Sequence, residues 1–164
     1  MKNLHIYSVQ KEIKKSKIHD LIKSLSIELN FTVSNLEINF ISAKSILDVN
    51  KTHLKHDYTT DIITFNYSKI VNELDGEIFI SMDDALSNSK KFKVSLSDEL
   101  VRLVIHGILH LLGYDDLAHS DKKIMKRMEN KLLSKSKIVL LYSELNNVGK
   151  NEVDSLQKKY LNKS

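Results

Sequence analysis

The period of the apolar positions changes along the chain, and those changes mark the elements. HIYSV, around residue 5, is short and β-prone; Ile18, Leu21, Ile22, Leu25 and Leu29 then recur at helical spacing with lysines on the opposite face. LEINFIS (36–42) reads as a strand, and Ile46, Leu47, Asn50 and Leu54 fit a short helix. DIITFNY (61–67) puts Ile63, Phe65 and Tyr67 on one face, and GEIFIS (76–81) follows a polar loop. Met82, Ala85 and Leu86 open another helix, and from Ser95 the pattern is helical almost to the end. Ser95 and Asp98 are spaced as a capping box, and Gly113 is a helix stop. Strands interleaved with helices, without repeats or low-complexity linkers, predict a single α+β domain: one mixed sheet of about four strands with helices packed around it. The domain is expected over residues 1–142, with 143–164 an added helical or flexible tail.

One predicted helix, over 97–112, differs from the rest. Leu100, Val101, Leu103, Val104, Ile105, Ile108, Leu109, Leu111 and Leu112 make it apolar nearly all round, so it belongs in the interior. Its polar residues, Glu99, Arg102, His106 and His110, fall at spacings of three and four on one stripe. Gly107 and Gly113 flank the stripe and are expected to leave room for something to approach. Two histidines four apart on one helical face hold a divalent metal in a zincin-like arrangement, and catalytic zinc takes three protein ligands plus one open position. Beyond Gly113 the chain can reverse, so Asp115, Asp116 and His119 are all candidates for the third. The metalloprotease pattern has Glu directly after the first histidine; here Gly107 stands there, so a base must come from elsewhere. The following helix starts near Ser120, with Ile124, Met125, Met128 and Leu132 inward and Lys122, Lys123, Lys126 and Arg127 outward. That basic face is also what an ordinary solvated helix carries.

Composition sharpens this at three points. A chain of 164 residues, 41% hydrophobic and 28% charged, is long and apolar enough to bury a real core. It has no cysteine, so a metal has only imidazole and carboxylate to bind. No stretch approaches the roughly 20 apolar residues of a membrane span, and MKNLHIYSVQKEIKK lacks a signal-peptide apolar block, so a cytoplasmic protein is expected. The net charge of +4 leans toward an anionic partner without identifying one.

HGILHLLGYDD (106–116) resembles the His-Gly-x-Leu-His-Leu-x-Gly-Tyr-Asp-His signature of the YbeY family, metal-dependent endoribonucleases of ribosomal RNA maturation. Upstream, Asn50 followed by HDYTTDIITFNY is similar to a second family block, in which Asn50, Asp57, Thr60, Asp61 and Phe65 match. GEIFIS and Glu99-Leu100 also fall where the family has their like, and the resemblance covers roughly residues 35–133. It implies one Zn2+ per chain held by His106, His110 and Asp116, the last standing where the family has its third histidine. The family's arginine falls on Leu54 and its proline on Thr59; Lys55 and His56 are adjacent candidates for the arginine's role, and Asp61, His56 or the RNA 2′-hydroxyl for proton transfer. Lys51, Lys55 and His56 are expected to carry positive charge at the cleft mouth, with Thr60, Asp61 and Phe65 along its wall. The implied substrate is single-stranded rRNA, cut in late maturation of the 16S 3′ end and in ribosome quality control. The implied partners are the small ribosomal subunit and its assembly proteins. Two other readings stay open: an assembly factor with a structural metal, and a zinc hydrolase of another bond.

Overall fold

The computed structural model describes residues 1–9 and 13–145, with side chains through residue 137. The elements run β1 (Leu4–Ser8), α1 (Lys15–Leu29), β2 (Thr32–Ile41), α2 (Ala43–Val49), a wider π-type turn (Asn50–Leu54), β3 (Ile62–Asn66), β4 (Glu73–Ser81), α3 (Met82–Phe92), α4 (Leu96–Leu111) and α5 (His119–Leu145). The strand order is β1-β2-β4-β3. β1, β2 and β4 are parallel, and β3 returns antiparallel along β4 at the edge. The fold is thus α+β with a four-stranded mixed sheet, as the interleaved periods predict.

Register decides which residues meet the helices. Leu36, Ile38 and Phe40 of β2 lie beside Gly76, Ile78 and Ile80 of β4, and these beside Asn66, Thr64 and Ile62 of β3. That face carries the main core, in which Leu21, Ile22 and Leu25 of α1 join Leu103, Val104 and Ile108 of α4. α4 settles closely on the sheet at Gly107: a Cβ there would stand 2.9 Å from the Ile78 side chain and 3.2 Å from that of Ile62. The glycine therefore serves helix–sheet packing and does not open the polar stripe to solvent, contrary to the expectation for it.

Four other expectations need correction. β2 and β4 begin earlier than their alternation indicates, because Thr32–Asn35 and Glu73–Asp75 pair with each other through a bulge although their polar side chains gain nothing from burial. Ile63 and Phe65 do share a face, but it is the one away from α4, and Tyr67 lies beyond the strand, 55% exposed. Leu54 ends the π-type turn largely in solvent, and Ile124 of α5 is 48% exposed where an inward position was expected; Met125 and Leu132 fill that interface instead. α5 runs on to Leu145, and residues from 146 onward, most of the tail expected over 143–164, lie outside the described residues. No helix of the described residues is long and apolar enough to cross a membrane.

Candidate metal centre

α4 builds the site. Ser95 caps it by accepting the Asp98 N–H at 3.0 Å, and its first turn carries Asp98 and Glu99, matched to the helix dipole. Its apolar perimeter seats it on the sheet, and the one polar stripe is left facing α5 and the loop before it. The helix ends at Gly113, whose φ of +93° suits glycine and few other residues. There the Gly113 and Tyr114 N–H groups bond back to His110 O and Leu109 O, and the chain reverses. Asp115 fastens the return by accepting the N–H of Asp116 and of Leu117 at 2.6 and 3.1 Å. Its carboxylate is spent on the turn, and the Asp116 carboxylate is the one carried to the histidines.

His106 Nε2 and His110 Nε2 face each other at 3.0 Å, and each lies 3.7 Å from an oxygen of Asp116. Among the described residues these three form a group whose ligand atoms all lie within 4.8 Å of one another. Tetrahedral zinc with ligands near 2.1 Å sets its donor atoms roughly 3.4 Å apart, so the observed separations bracket what one cation needs. The donor chemistry agrees. Burial first, and then the charge of His106, holds the His110 imidazole below its ordinary pKa, against the opposing pull of Asp116, Asp115 and the Tyr114 backbone. His110 therefore stays neutral at neutral pH, the form that binds metal. The three side chains are 15%, 25% and 38% exposed in that order, so the pair of imidazoles is sheltered while one side of the group opens to solvent. His119 lies exposed at the start of α5, outside the group.

Behind the histidines runs a chain of buried charge. His106 Nδ1 is hydrogen-bonded to the Glu129 carboxylate of α5. Arg102 Nη1 lies 3.5 Å from the other Glu129 oxygen, while its Nε and Nη2 grip Glu99 at 2.9 and 2.7 Å. The hydrogen bond to Glu99 and the charges of Glu99, Glu129 and Asp61 raise the Arg102 pKa above its ordinary value, so its positive charge is permanent. Sequence reasoning missed Glu129. The signal was there: it lies between Met125 and Leu132 on the inward stripe of α5, an acid where the pattern asks for a hydrophobe.

The remaining candidates divide. Asp61 precedes β3 and is anchored on both sides: its backbone O accepts the Ser81 N–H at 2.9 Å, and its carboxylate accepts Asn88 Nδ2 at 3.1 Å. Its charge reaches Arg102, which ties it to the stripe of α4. Thr60 bonds the Ile62 carbonyl at 3.2 Å, and Phe65 packs edge-on against His53 and Phe79. Lys55 takes a left-handed backbone (φ 55°) with its side chain in solvent. His56 stacks on Tyr58, and its Nδ1 meets the Tyr58 hydroxyl at 3.0 Å. No described contact joins Lys55 or His56 to the histidine pair. Lys51 is not a free cation at the mouth, because Asp57 pairs with it at 2.9 Å. Asn50, 1% exposed, holds this loop from beneath by donating Nδ2 to the Tyr58 carbonyl at 2.7 Å.

Comparison with known proteins places this geometry. A family model described as Endoribonuclease YbeY matches residues 3–137. A Bacteroides thetaiotaomicron protein named Endoribonuclease YbeY is 40% identical over 123 residues, which is 75% of this chain and 89% of that protein. A namesake from Bacteroides fragilis is 40% identical over 126 residues, 77% of this chain and 90% of its own. The solution structure of TM1509 from Thermotoga maritima superposes with a TM-score of 0.62 at 22% identity, over 90% of this chain and 97% of that one. At that identity the likeness is one of fold.

Proposed function

This chain belongs to the YbeY endoribonuclease family, and from that premise we propose that it is a metal-dependent endoribonuclease of single-stranded ribosomal RNA. The observation that carries the reading is the group His106, His110 and Asp116, three ligand atoms within reach of one cation, two from the polar stripe of an otherwise apolar helix and one from the loop that follows it. The relatives that match about three quarters of the chain are named endoribonucleases, which supports RNA as the substrate class. The finer assignments rest on the resemblance of the two sequence blocks: zinc as the cation, the 16S 3′ end in late rRNA maturation, ribosome quality control, the small subunit and its assembly proteins as partners, and the cytoplasm as the place. Residues 1–142 would do this work, and 143–164 would be an addition to it.

A divalent cation bound here supplies Lewis acidity toward a phosphoryl oxygen and makes a coordinated water more acidic. The chain's own residues do the rest. His106 and His110 present their Nε2 atoms, and Asp116 adds a negative charge that three histidines would lack. Asp61, anchored by Asn88 and the Ser81 amide, is rigid enough to accept a proton from an RNA 2′-hydroxyl or a water. Lys55, without a described ion-pair partner, would attract the RNA backbone, and the stacked His56–Tyr58 pair offers aromatic faces to unpaired bases. A zinc hydrolase of another bond is disfavoured by Gly107, where a peptidase needs its Glu. A non-catalytic assembly factor has one observation in its favour: Leu54, in place of an arginine fork that clamps phosphate.

Incubation with single-stranded and duplex RNA of equal length, with and without chelator, tests the proposal. Cleavage of the single strand alone, stopped by chelator, is expected. Bound metal with no cleavage of either RNA would favour the assembly factor.

A further inference from the structure

Glu129 is outside the ligand group, yet it is only 7% exposed and spends its carboxylate on His106 Nδ1. A buried carboxylate is strongly unfavourable unless partnered. Its second partner, Arg102, is itself fixed by two hydrogen bonds to Glu99, which is 1% exposed. Four charged or polar groups from two helices are thus held in one line that ends on a ring nitrogen of His106. A fastening of α5 alone would not need that end point; Lys137 already pairs with Asp98 of α4 at 3.1 Å, and Lys135 with Glu28 of α1, near the surface.

An imidazole has two nitrogens and in its neutral form one proton. An acceptor fixed at Nδ1 keeps the proton there and leaves the Nε2 lone pair bare. His106 Nε2 is the atom that faces His110 and Asp116. We infer that Glu129 is a positioning residue of the metal centre: it sets the tautomer and ring orientation of His106, and Arg102, braced by Glu99, holds the Glu129 carboxylate in place to do so. This rests on the reading of His106, His110 and Asp116 as a cation site.

Zinc affinity, measured by competition with a chromophoric chelator on the full chain, tests it in wild type, Glu129→Leu, Glu129→Gln and Lys135→Ala. Glu129→Leu is expected to weaken zinc binding ~10–100-fold, the range for such supporting carboxylates. Glu129→Gln should fall between, since its side-chain oxygen still accepts the Nδ1 proton. Lys135→Ala, which loosens α5 without touching His106, should bind as wild type does. Imidazole 15N shifts of the metal-free protein give a second readout: His106 protonated at Nδ1 in wild type, with Nε2-protonated ring appearing in Glu129→Leu. If Glu129→Leu does not fold, the Gln variant carries the test, and it must bind zinc more weakly than wild type. Wild-type affinity in the Glu129 variants, or an equal loss in Lys135→Ala, overturns the positioning role alone. A wild-type chain that binds no zinc overturns the cation reading and this role together.

Discussion

Asp116 stands where the family resemblance has a third imidazole, and its carboxylate adds a negative charge to the group of possible ligands. Both oxygens face the histidines, each 3.7 Å from one Nε2. Asp115 is committed to two backbone amides and His119 lies in solvent. Metal content after dialysis should therefore drop to near zero in Asp116→Ala, survive in Asp116→His, and be full in His119→Ala; the reverse ranking of Asp116→Ala and His119→Ala would assign the ligand to position 119. His106 and His110 could be read from the chain itself because they share a helical face, whereas Asp116 came only with the family resemblance, whose signature runs on to 116 without a gap. The place of Glu129 on an inward stripe could be read, but not its partner. Its meaning depends on α5 folding back across α4, a contact between residues 23 positions apart that no local period encodes.

At the scale of the element, α4 is held by what it lacks. The missing side chain at Gly107 lets the helix lie against Ile78 and Ile62, so the position usual for a metalloprotease base points into the sheet. Gly107→Glu should accordingly supply no base; it buries an unpaired carboxylate and is expected to destabilise the fold by about 3–5 kcal/mol, read from chemical denaturation. Gly113 acts through backbone conformation alone, with open space where a Cβ would go. Gly113→Ala should cost roughly 1–2 kcal/mol and weaken metal binding as well, since the reversal it permits delivers Asp116. Unaltered stability in either variant would contradict the seating described for that glycine. Helix identities were legible because an apolar stripe at period 3.6 is long and redundant. The early parts of β2 and β4 were not, because Thr32–Asn35 and Glu73–Asp75 bury only Leu74 and part of Val33, too few apolar positions to show an alternation, and the ladder between the strands carries the polar residues.

Over the whole molecule, the sheet's helix-covered face carries the core and the α4 stripe carries the candidate metal ligands His106 and His110, while the loop of residues 55–61 leads from the π-type turn to β3. The architecture followed from alternating periods, but nothing in a net charge of +4 names RNA, and the substrate class came from kinship. The cations of the turn and of this loop are unequal: Lys51 of the turn is offset by Asp57, and Lys55 has no described ion-pair partner. Lys55→Glu should weaken RNA binding and reduce its dependence on log salt by roughly 1, with a smaller effect from Lys51→Glu; equal salt slopes in all three proteins would remove this loop from the RNA path. The most direct test of the account is a titration of metal-free protein with zinc while cleavage of a single-stranded RNA is followed. Activity should rise in step with zinc and level off at one ion per chain. Full cleavage before zinc is added, or zinc saturation without cleavage, would contradict it.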